Sequence, residues 1–141
     1  MKKLIWDGVK PIIEEWVGTK IEPTSLYGIR VYKQDAVLAT HVDRLPLVSS
    51  CIIQVAQDVD DPWPIEVYAH DGKAYNVTME PGALTTNTFS LVVTNVMDVN
   101  CYFLFVGDMV LYESHTVLHG RPFPLQGRHY ANVFVHFQPG E

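Results

Sequence analysis

The sequence predicts a mainly β protein, a double-stranded β-helix (jelly roll) preceded by an N-terminal helix. Apolar residues recur at helical spacing only near the N-terminus, and from residue 27 onward short β-rich runs alternate with turn residues. One helix followed by many antiparallel strands is typical of a double-sheet jelly roll, which can gather ligands from distant strands around one barrel mouth. The 141 residues suit one domain, 1–141, with a sizeable core.

The predicted helix rests on apolar residues at helical spacing. Pro11 lacks a backbone N–H, so we expect the regular helix to begin close to it, with Asp7 as a cap. Gly18 is expected to end the helix. The apolar positions are Trp6, Val9, Ile12, Ile13 and Trp16.

The rest of the chain predicts strands joined by turns. Asp71-Gly72 lies between two β-rich runs and predicts a hairpin with a type I′ turn. The predicted strands cover residues 27–32, 37–41, 48–57, 65–69, 74–79, 108–113 and 129–137.

Residues 83–106 form an atypical insertion. The segment carries a single charge, Asp98, and lies between Pro81-Gly82 and Gly107-Asp108, as though pushed into one turn. Because long structureless loops are uncommon in compact domains, two interpretations of this segment remain. Residues 89–93 and 102–106 are additional strands, or the segment is an exposed, aggregation-prone insertion.

Composition narrows the class of partner. A net charge of −6 and a pI near 5.4 argue against nucleic acid or an anionic membrane as the main partner. No stretch reaches the roughly 18 to 20 consecutive apolar residues of a membrane span. Cys51 and Cys101 make no disulfide framework, which favours a reducing, cytoplasmic setting. The domain is expected to be short at its N-terminus, and the sequence leaves open whether a targeting segment precedes it.

His41-Val42-Asp43 is a candidate half of a metal site. In an extended segment residues i and i+2 point to the same side, so both side chains can reach one ion. Two imidazoles and one carboxylate form the facial triad of non-haem Fe(II) oxygenases. A lone triplet of this kind is weak, since Asp43 can equally cap a turn and His41 can simply end a strand.

The second imidazole must come from five other histidines. His119 is preferred because Gly120 allows a close approach and because Arg128 follows on the adjacent strand. His115 is not excluded by spacing. The remaining candidates are a turn residue, His70, and two residues on opposite faces of the last strand, His129 and His136.

An organic acid co-substrate would also need a cation. Arg128 can form a bidentate pair with the distal carboxylate of a diacid, and it is predicted to share a strand face with Tyr130, Asn132 and Phe134. Arg121 is a rival, although beside Pro122 it is expected in a turn. Tyr32 is a further candidate hydrogen-bond donor to the acid. The alternative is that it is an ordinary aromatic residue of an amphipathic strand.

The chain resembles the Fe(II)/2-oxoglutarate dioxygenase superfamily, and within it the prolyl 4-hydroxylase-like branch. The resemblance implies a double-stranded β-helix that holds Fe(II) through His41, Asp43 and His119. It implies that Arg128 binds the C5 carboxylate of 2-oxoglutarate in a pocket lined by Tyr32. The resembling segments are residues 27–32, 40–44, 52–58, 62–64, 80–82, 108–114, 119–122, 127–128 and 130–134.

The resemblance also implies a reaction. Fe(II), O₂ and 2-oxoglutarate, with ascorbate as an optional addition, would hydroxylate a C–H bond of peptidyl proline and release succinate and CO₂. The partner would be a peptide or protein, with Arg30, Arg44 and Trp63 as candidate contacts. The alternative is a jelly-roll binding or structural module whose catalysis is disabled by the insertion at 83–106. A cupin ranks lower, because cupins usually present two nearby histidines.

Overall fold

The computed structural model describes residues 1–81 and 108–141, together with the backbone of residues 91–93. It contains one N-terminal helix, α1 (Lys2–Val17), followed by strands in two sheets. The mainly β architecture with a single N-terminal helix is therefore confirmed within the described ranges. The strands are β1 (Ile21–Ser25), β2 (Ile29–Lys33), β3 (Leu38–His41), β4 (Ser49–Val59), β5 (Ile65–Tyr68), β6 (Ala74–Val77), β7 (Leu91–Val93), β8 (Met109–Tyr112), β9 (His119–Arg121) and β10 (Gly127–Pro139).

The strands form a larger and a smaller sheet. The larger sheet has the order β1-β10-β4-β8-β7, and β2 also pairs with β10. The smaller sheet has the order β3-β9-β5-β6. The pairings are antiparallel except for β7 with β8, which are parallel. Distant parts of the chain thus become neighbours, since the third and ninth strands pair directly.

Helix α1 begins earlier than the sequence predicts. It starts at Lys2 and contains Pro11 in its interior, so the prediction of a start near Pro11 with Asp7 as cap is wrong. A proline in this position removes one helical hydrogen bond. Burial of Val9 and Ile13 against the larger sheet offsets that loss, because both residues are almost fully enclosed. The predicted stop is confirmed, since the Gly18 N–H bonds to the Glu14 carbonyl at 2.9 Å.

The hairpin of β5 and β6 is confirmed, but its turn type is not. A type I′ turn needs positive φ at two central residues, and only Gly72 has it here. The Gly72 N–H instead bonds to the Ala69 carbonyl at 2.9 Å. The Asp71 carboxylate accepts the Lys73 N–H, also at 2.9 Å, so Asp71 closes the loop with its side chain.

Two strands, β1 and β9, were not predicted. β1 contains Pro23, and it is tolerated because β1 lies at the edge of the larger sheet. β9 is only three residues long, which is too short to show the alternation of apolar and polar residues that predicts a strand. The predicted strand at 89–93 overlaps β7, whereas the remainder of the 83–106 segment lies outside the described residues.

The larger sheet has apolar residues on both faces. On one face Cys51, Leu111 and Phe137 pack with helix α1. On the other face Ile52 and Val110 pack against residues of the smaller sheet, which include Ile65 and Val67. This inner space between the sheets is where polar residues of both sheets also meet.

Within the described ranges no helix has both the length and the apolar character needed to cross a membrane.

Candidate metal centre

Three predicted ligands come together at the end of the β3–β9 pair. His41 is the last residue of β3, His119 is the first residue of β9, and the two are direct register partners. Asp43 follows β3 by two residues, and its backbone N–H bonds to the Ser114 carbonyl at 2.7 Å. One ligand atom from each of the three residues lies within 4.8 Å of the others. The predicted set His41, Asp43 and His119 is therefore one compact group.

The hydrogen bonds of the two histidines fix which nitrogen faces the carboxylate. His41 Nδ1 lies 2.7 Å from the Ala39 carbonyl oxygen, and His119 Nδ1 lies 3.0 Å from that of Val117. A carbonyl can only accept, so both Nδ1 atoms carry the proton. In its neutral form each ring then presents the Nε2 lone pair. Metal-binding histidines usually have this arrangement, in which the other nitrogen donates to a carbonyl or a carboxylate.

The Nε2 atoms point towards the same carboxylate oxygen. His41 Nε2 is 3.4 Å and His119 Nε2 is 3.8 Å from Asp43 Oδ1. Two lone pairs and an anionic oxygen at these distances repel one another unless a cation lies between them. A metal ion would satisfy all three atoms at once. Protons on both Nε2 atoms are the alternative, and burial opposes the charged form at His119.

Burial favours the neutral form of His119. The ring is only 2% exposed, and this burial lowers its pKa from the ordinary value. A neutral imidazole is the form that binds metals. The Asp43 Oδ2 atom is also buried and has no hydrogen-bond partner in the described part of the chain. Both features fit a site that binds a cation.

The group opens into a cavity of about 470 Å³ between the two sheets. That volume lies within the usual range for small-molecule sites. The smaller sheet contributes His41 and His119 to its wall, and the larger sheet contributes Tyr112 and Phe134. Tyr27, which is 77% exposed, also lines the cavity. A ligand in this cavity would therefore reach the three-residue group from a solvent-accessible side.

His136 is a site residue that the sequence did not single out. It lines the cavity, and its Nδ1 lies 3.7 Å from Asp43 Oδ2. Ser114 donates to the Leu47 carbonyl at 3.0 Å, and its hydroxyl is 2.6 Å from that of Ser50. Ser50 must therefore donate to Ser114 and accept from His136 Nδ1, 2.6 Å away. This series of hydrogen bonds fixes the His136 tautomer with the proton on Nδ1. Burial lowers the pKa of the ring.

A simple signal could have found His136. The last strand alternates, so the face predicted to carry Tyr130, Asn132 and Phe134 continues to His136. The structure puts all four even-numbered residues on the buried or cavity-lining side.

The other histidines lie elsewhere. His115 Nδ1 donates to the backbone carbonyl of Asp43 at 2.8 Å, so it supports the ligand loop and is not part of the three-residue group. His70 is exposed, and its Nε2 lies 2.7 Å from a carboxylate oxygen of Glu113. His129 is a register partner of Lys33 on β2.

The structure does not bring Arg128 together with the three ligands. Its side chain is 63% exposed and pairs with the carboxylates of Asp58 and Asp60. The Asp58 pair raises the pKa of the guanidinium. The cause of the outward position is a bulge between Gly127 and His129, which leaves Arg128 without a register partner on β4. Arg128 consequently does not share the inner face with Tyr130.

Arg121 lies in the core, so its expected position in a turn is wrong. It is the last residue of β9 and is fully buried. Its guanidinium lies 4.7 Å from the ring centre of Trp63 and 4.5 Å from that of Tyr130. Tyr32 is also buried, and its ring centre is 5.0 Å from that of Trp63.

The candidate substrate contacts divide into three kinds. Arg30 lines the cavity and lies over the Tyr32 ring, 4.7 Å from its centre. Arg44 is exposed and is not among the cavity-lining residues. Trp63 is 2% exposed, and its Nε1 donates to the Phe123 carbonyl at 2.7 Å. Trp63 is thus a packed core residue.

Comparison of the chain with family models, with curated protein sequences and with solved structures gave no match.

Proposed function

We propose that this chain is an Fe(II)- and 2-oxoglutarate-dependent dioxygenase that hydroxylates a C–H bond, with peptidyl proline as its substrate. The observation that carries the proposal is the group of His41, Asp43 and His119, whose ligand atoms lie within 4.8 Å of one another. Two neutral imidazoles and one carboxylate leave open positions for further ligands on an octahedral ion. That donor set is typical of non-haem Fe(II) oxygenases.

The arrangement of the two sheets supports the same reading. A double-stranded β-helix brings ligands from separated strands to one end of the barrel, and here the ligands come from β3 and β9. The cavity lies between the sheets, with Tyr112 and Phe134 of the larger sheet facing the ligands of the smaller one. We therefore propose that the two sheets are the halves of a jelly roll.

The ligand residues have defined roles in this proposal. An Fe(II) ion bound here would supply the activation of O₂ and the decarboxylation of a chelated 2-oxo acid. His41 and His119 are kept in the binding tautomer by the carbonyls of Ala39 and Val117. Asp43 supplies the negative charge that binds a divalent ion. The ring of Phe134 contributes apolar surface to the cavity wall.

The substrate class follows from the resemblance to prolyl hydroxylases and from the open side of the cavity. Tyr27 and Arg30 are both exposed, and both line the cavity. An aromatic side chain next to a cation suits an extended peptide, since the ring can pack against proline and the guanidinium can bind a carbonyl or carboxylate.

An anaerobic titration with Fe(II) and 2-oxoglutarate tests the proposal. The expected result is a saturable visible charge-transfer band of the iron chelate, which disappears in His119→Ala. His115→Ala is the matched control, because His115 contacts Asp43 only through a backbone carbonyl and should keep the band. If folded wild-type protein bound Fe(II) but gave no band with 2-oxoglutarate, the assignment of a 2-oxo acid as co-substrate would be wrong. Failure to bind any divalent ion would contradict the metal site itself.

A further inference from the structure

The buried guanidinium of Arg121 has no anionic partner among the described residues. Its Nη1 donates to the Trp63 carbonyl, its Nη2 lies 3.4 Å from the Tyr130 hydroxyl, and its Nε has no partner in the described ranges. Two aromatic faces cover the remainder of the group. A fully buried charge without a counter-ion is costly, and such a residue normally has a carboxylate beside it or binds an anion.

Several other hydrogen-bond donors in the same interior are also unused. The hydroxyls of Tyr32 and Tyr112 and the amide nitrogen of Asn132 are all buried without a partner in the described part of the chain. Tyr112 and Asn132 are fully buried, and Tyr32 is 5% exposed. Asn132 Oδ1 is an unpaired buried acceptor as well, but it is neutral, so these donors and the Arg121 cation still have no anion beside them. A carboxylate is an acceptor with two oxygens and a full negative charge.

These groups continue directly from the metal centre. Arg121 follows His119 by two residues on β9, so the two side chains lie on the same face with Cα atoms about 6.6 Å apart. Tyr112 connects both sets, because its ring lies 4.6 Å from that of His119 and its hydroxyl interacts electrostatically with Arg121. Tyr32 also interacts electrostatically with Arg121.

We propose that Arg121, and not Arg128, binds the distal carboxylate of the 2-oxo acid, together with the hydroxyls of Tyr32 and Tyr112 and the Asn132 amide. This inference deepens the proposed function, on which it rests. Arg128 is held outside by Asp58 and Asp60. Arg30 is the cationic side chain among the described residues that line the cavity, but it is exposed, so solvent screens its attraction for an anion.

The test compares two 2-oxo acids on protein loaded with Mn(II) under anaerobic conditions. 2-Oxoglutarate carries the distal carboxylate and 2-oxobutyrate does not, while both chelate the metal in the same way. Isothermal titration should show that wild type prefers 2-oxoglutarate by at least about 30-fold, the effect of a buried charge pair. In Arg121→Gln this preference should fall to a few-fold at most. Arg128→Gln and Arg30→Gln are the matched controls and should keep it.

The preference is measured within each folded protein, so general damage cannot imitate the result. If circular dichroism shows that Arg121→Gln does not fold, the Tyr32→Phe variant provides the test of the anion site. It retains the ring and should weaken 2-oxoglutarate binding by roughly 2- to 10-fold, as expected for one lost hydrogen bond, without affecting 2-oxobutyrate. An unchanged preference in both variants, or a loss in Arg128→Gln, would overturn the assignment to Arg121.

Glutarate separates this inference from the proposed function, because it has two carboxylates and no keto group. On metal-free protein, glutarate should raise the melting temperature of wild type and of Arg128→Gln, should raise that of Tyr32→Phe less, and should leave that of Arg121→Gln unchanged. Equal stabilisation of all four proteins would overturn the anion site even if the metal binds. Stabilisation that depends on Arg121 would support the anion site even in a protein that binds no metal.

Discussion

His41 and His119 lie directly opposite each other on paired strands, with their ring centres 4.5 Å apart. Each ring is oriented by a carbonyl two residues earlier on its own side of the pair. The metal centre is therefore a consequence of how closely β9 approaches β3. That approach depends on Gly120, because a Cβ atom there would lie 2.7 Å from the Leu38 carbonyl oxygen.

Gly120→Ala should disrupt this approach. The added methyl group also meets the Thr40 Cα at 2.8 Å, and both neighbours are backbone atoms that cannot rotate away. We expect a loss of about 1–3 kcal/mol in the free energy of unfolding from overpacking. Metal affinity should fall roughly tenfold or more, as it does when the support of a ligand is lost. Urea denaturation and Mn(II) titration measure the two effects.

Gly140→Ala is the control, since its nearest neighbour would be an ordinary contact at 3.4 Å. If Gly120→Ala bound metal as tightly as Gly140→Ala, the approach of β9 to β3 would not determine the ligand geometry.

Stability of the metal-free protein should depend on pH through His119 and His136. Burial lowers the pKa of both rings below the ordinary 6.5, so the unfolded chain binds more protons as the pH falls. The contribution is complete above pH 6.5 and is lost as the pH falls through the folded-state pKa values. The slope is at most about 1.4 kcal/mol per pH unit for each histidine. Urea denaturation between pH 8 and pH 5 measures it.

The slope should become shallower in His119→Gln, because the variant has one buried ring fewer to protonate. Identical slopes in wild type and His119→Gln would mean that the ring is not kept neutral in the folded protein. Since a metal ion competes with the same protons, Mn(II) affinity should decline over the same pH range.

The features that the sequence predicted well have a local origin. His41 and Asp43 are two residues apart in an extended segment, and that spacing alone puts their side chains on one side. The hairpin at Asp71-Gly72 and the helix end at Gly18 are likewise local, as each depends on a single turn. The choice of His119 over the other histidines was a longer inference, based on Gly120, on Arg128 and on family resemblance, and the structure does not bring Arg128 to the site.

The features that the sequence did not predict depend on pairing between distant strands. Arg128 points outward because of a bulge at Gly127, where a Cβ atom would lie 2.5 Å from the Val59 Cα. No local sequence pattern predicts such a bulge. Alternation along β10 puts His136 on the cavity side, but its hydrogen bond to Ser50 depends on the pairing of β10 with β4. Arg121 looked like a turn residue because Pro122 follows, yet β9 ends at Arg121 and buries it.

Ser50→Ala should expose the role of the hydrogen-bond chain that orients His136. Removal of the hydroxyl leaves His136 Nδ1 and the Ser114 hydroxyl without their partner, and a buried unpaired group costs about 1–3 kcal/mol. The free energy of unfolding should fall by that amount. Nitrogen chemical shifts of His136 should change from the Nδ1–H tautomer of wild type to a mixture of tautomers.

Ser49→Ala is the neighbouring control, because the Ser49 hydroxyl makes no side-chain hydrogen bond in the described ranges. The assignment would fail if the His136 tautomer were the same in wild type and Ser50→Ala.

Asn132→Val should make the metal-free protein more stable and the ligand complex weaker. Both amide atoms of Asn132 are buried without partners among the described residues, so an apolar β-branched side chain removes an unfavourable group and suits the strand. We expect a gain of roughly 1–3 kcal/mol in the free energy of unfolding without ligand. Affinity for 2-oxoglutarate should fall, because one donor to the distal carboxylate is lost.

Gln54→Leu provides the contrast, since Gln54 is the register partner of Asn132 on β4. Its Nε2 already donates to the Ala56 carbonyl at 3.2 Å and to the Gln57 side chain at 3.0 Å. Loss of those bonds should lower stability, whereas 2-oxoglutarate affinity should hardly change. A decrease in stability in Asn132→Val as large as in Gln54→Leu would mean that the Asn132 amide is already satisfied in solution. Opposite signs in the two variants would identify Asn132 as a group kept unpaired for a ligand.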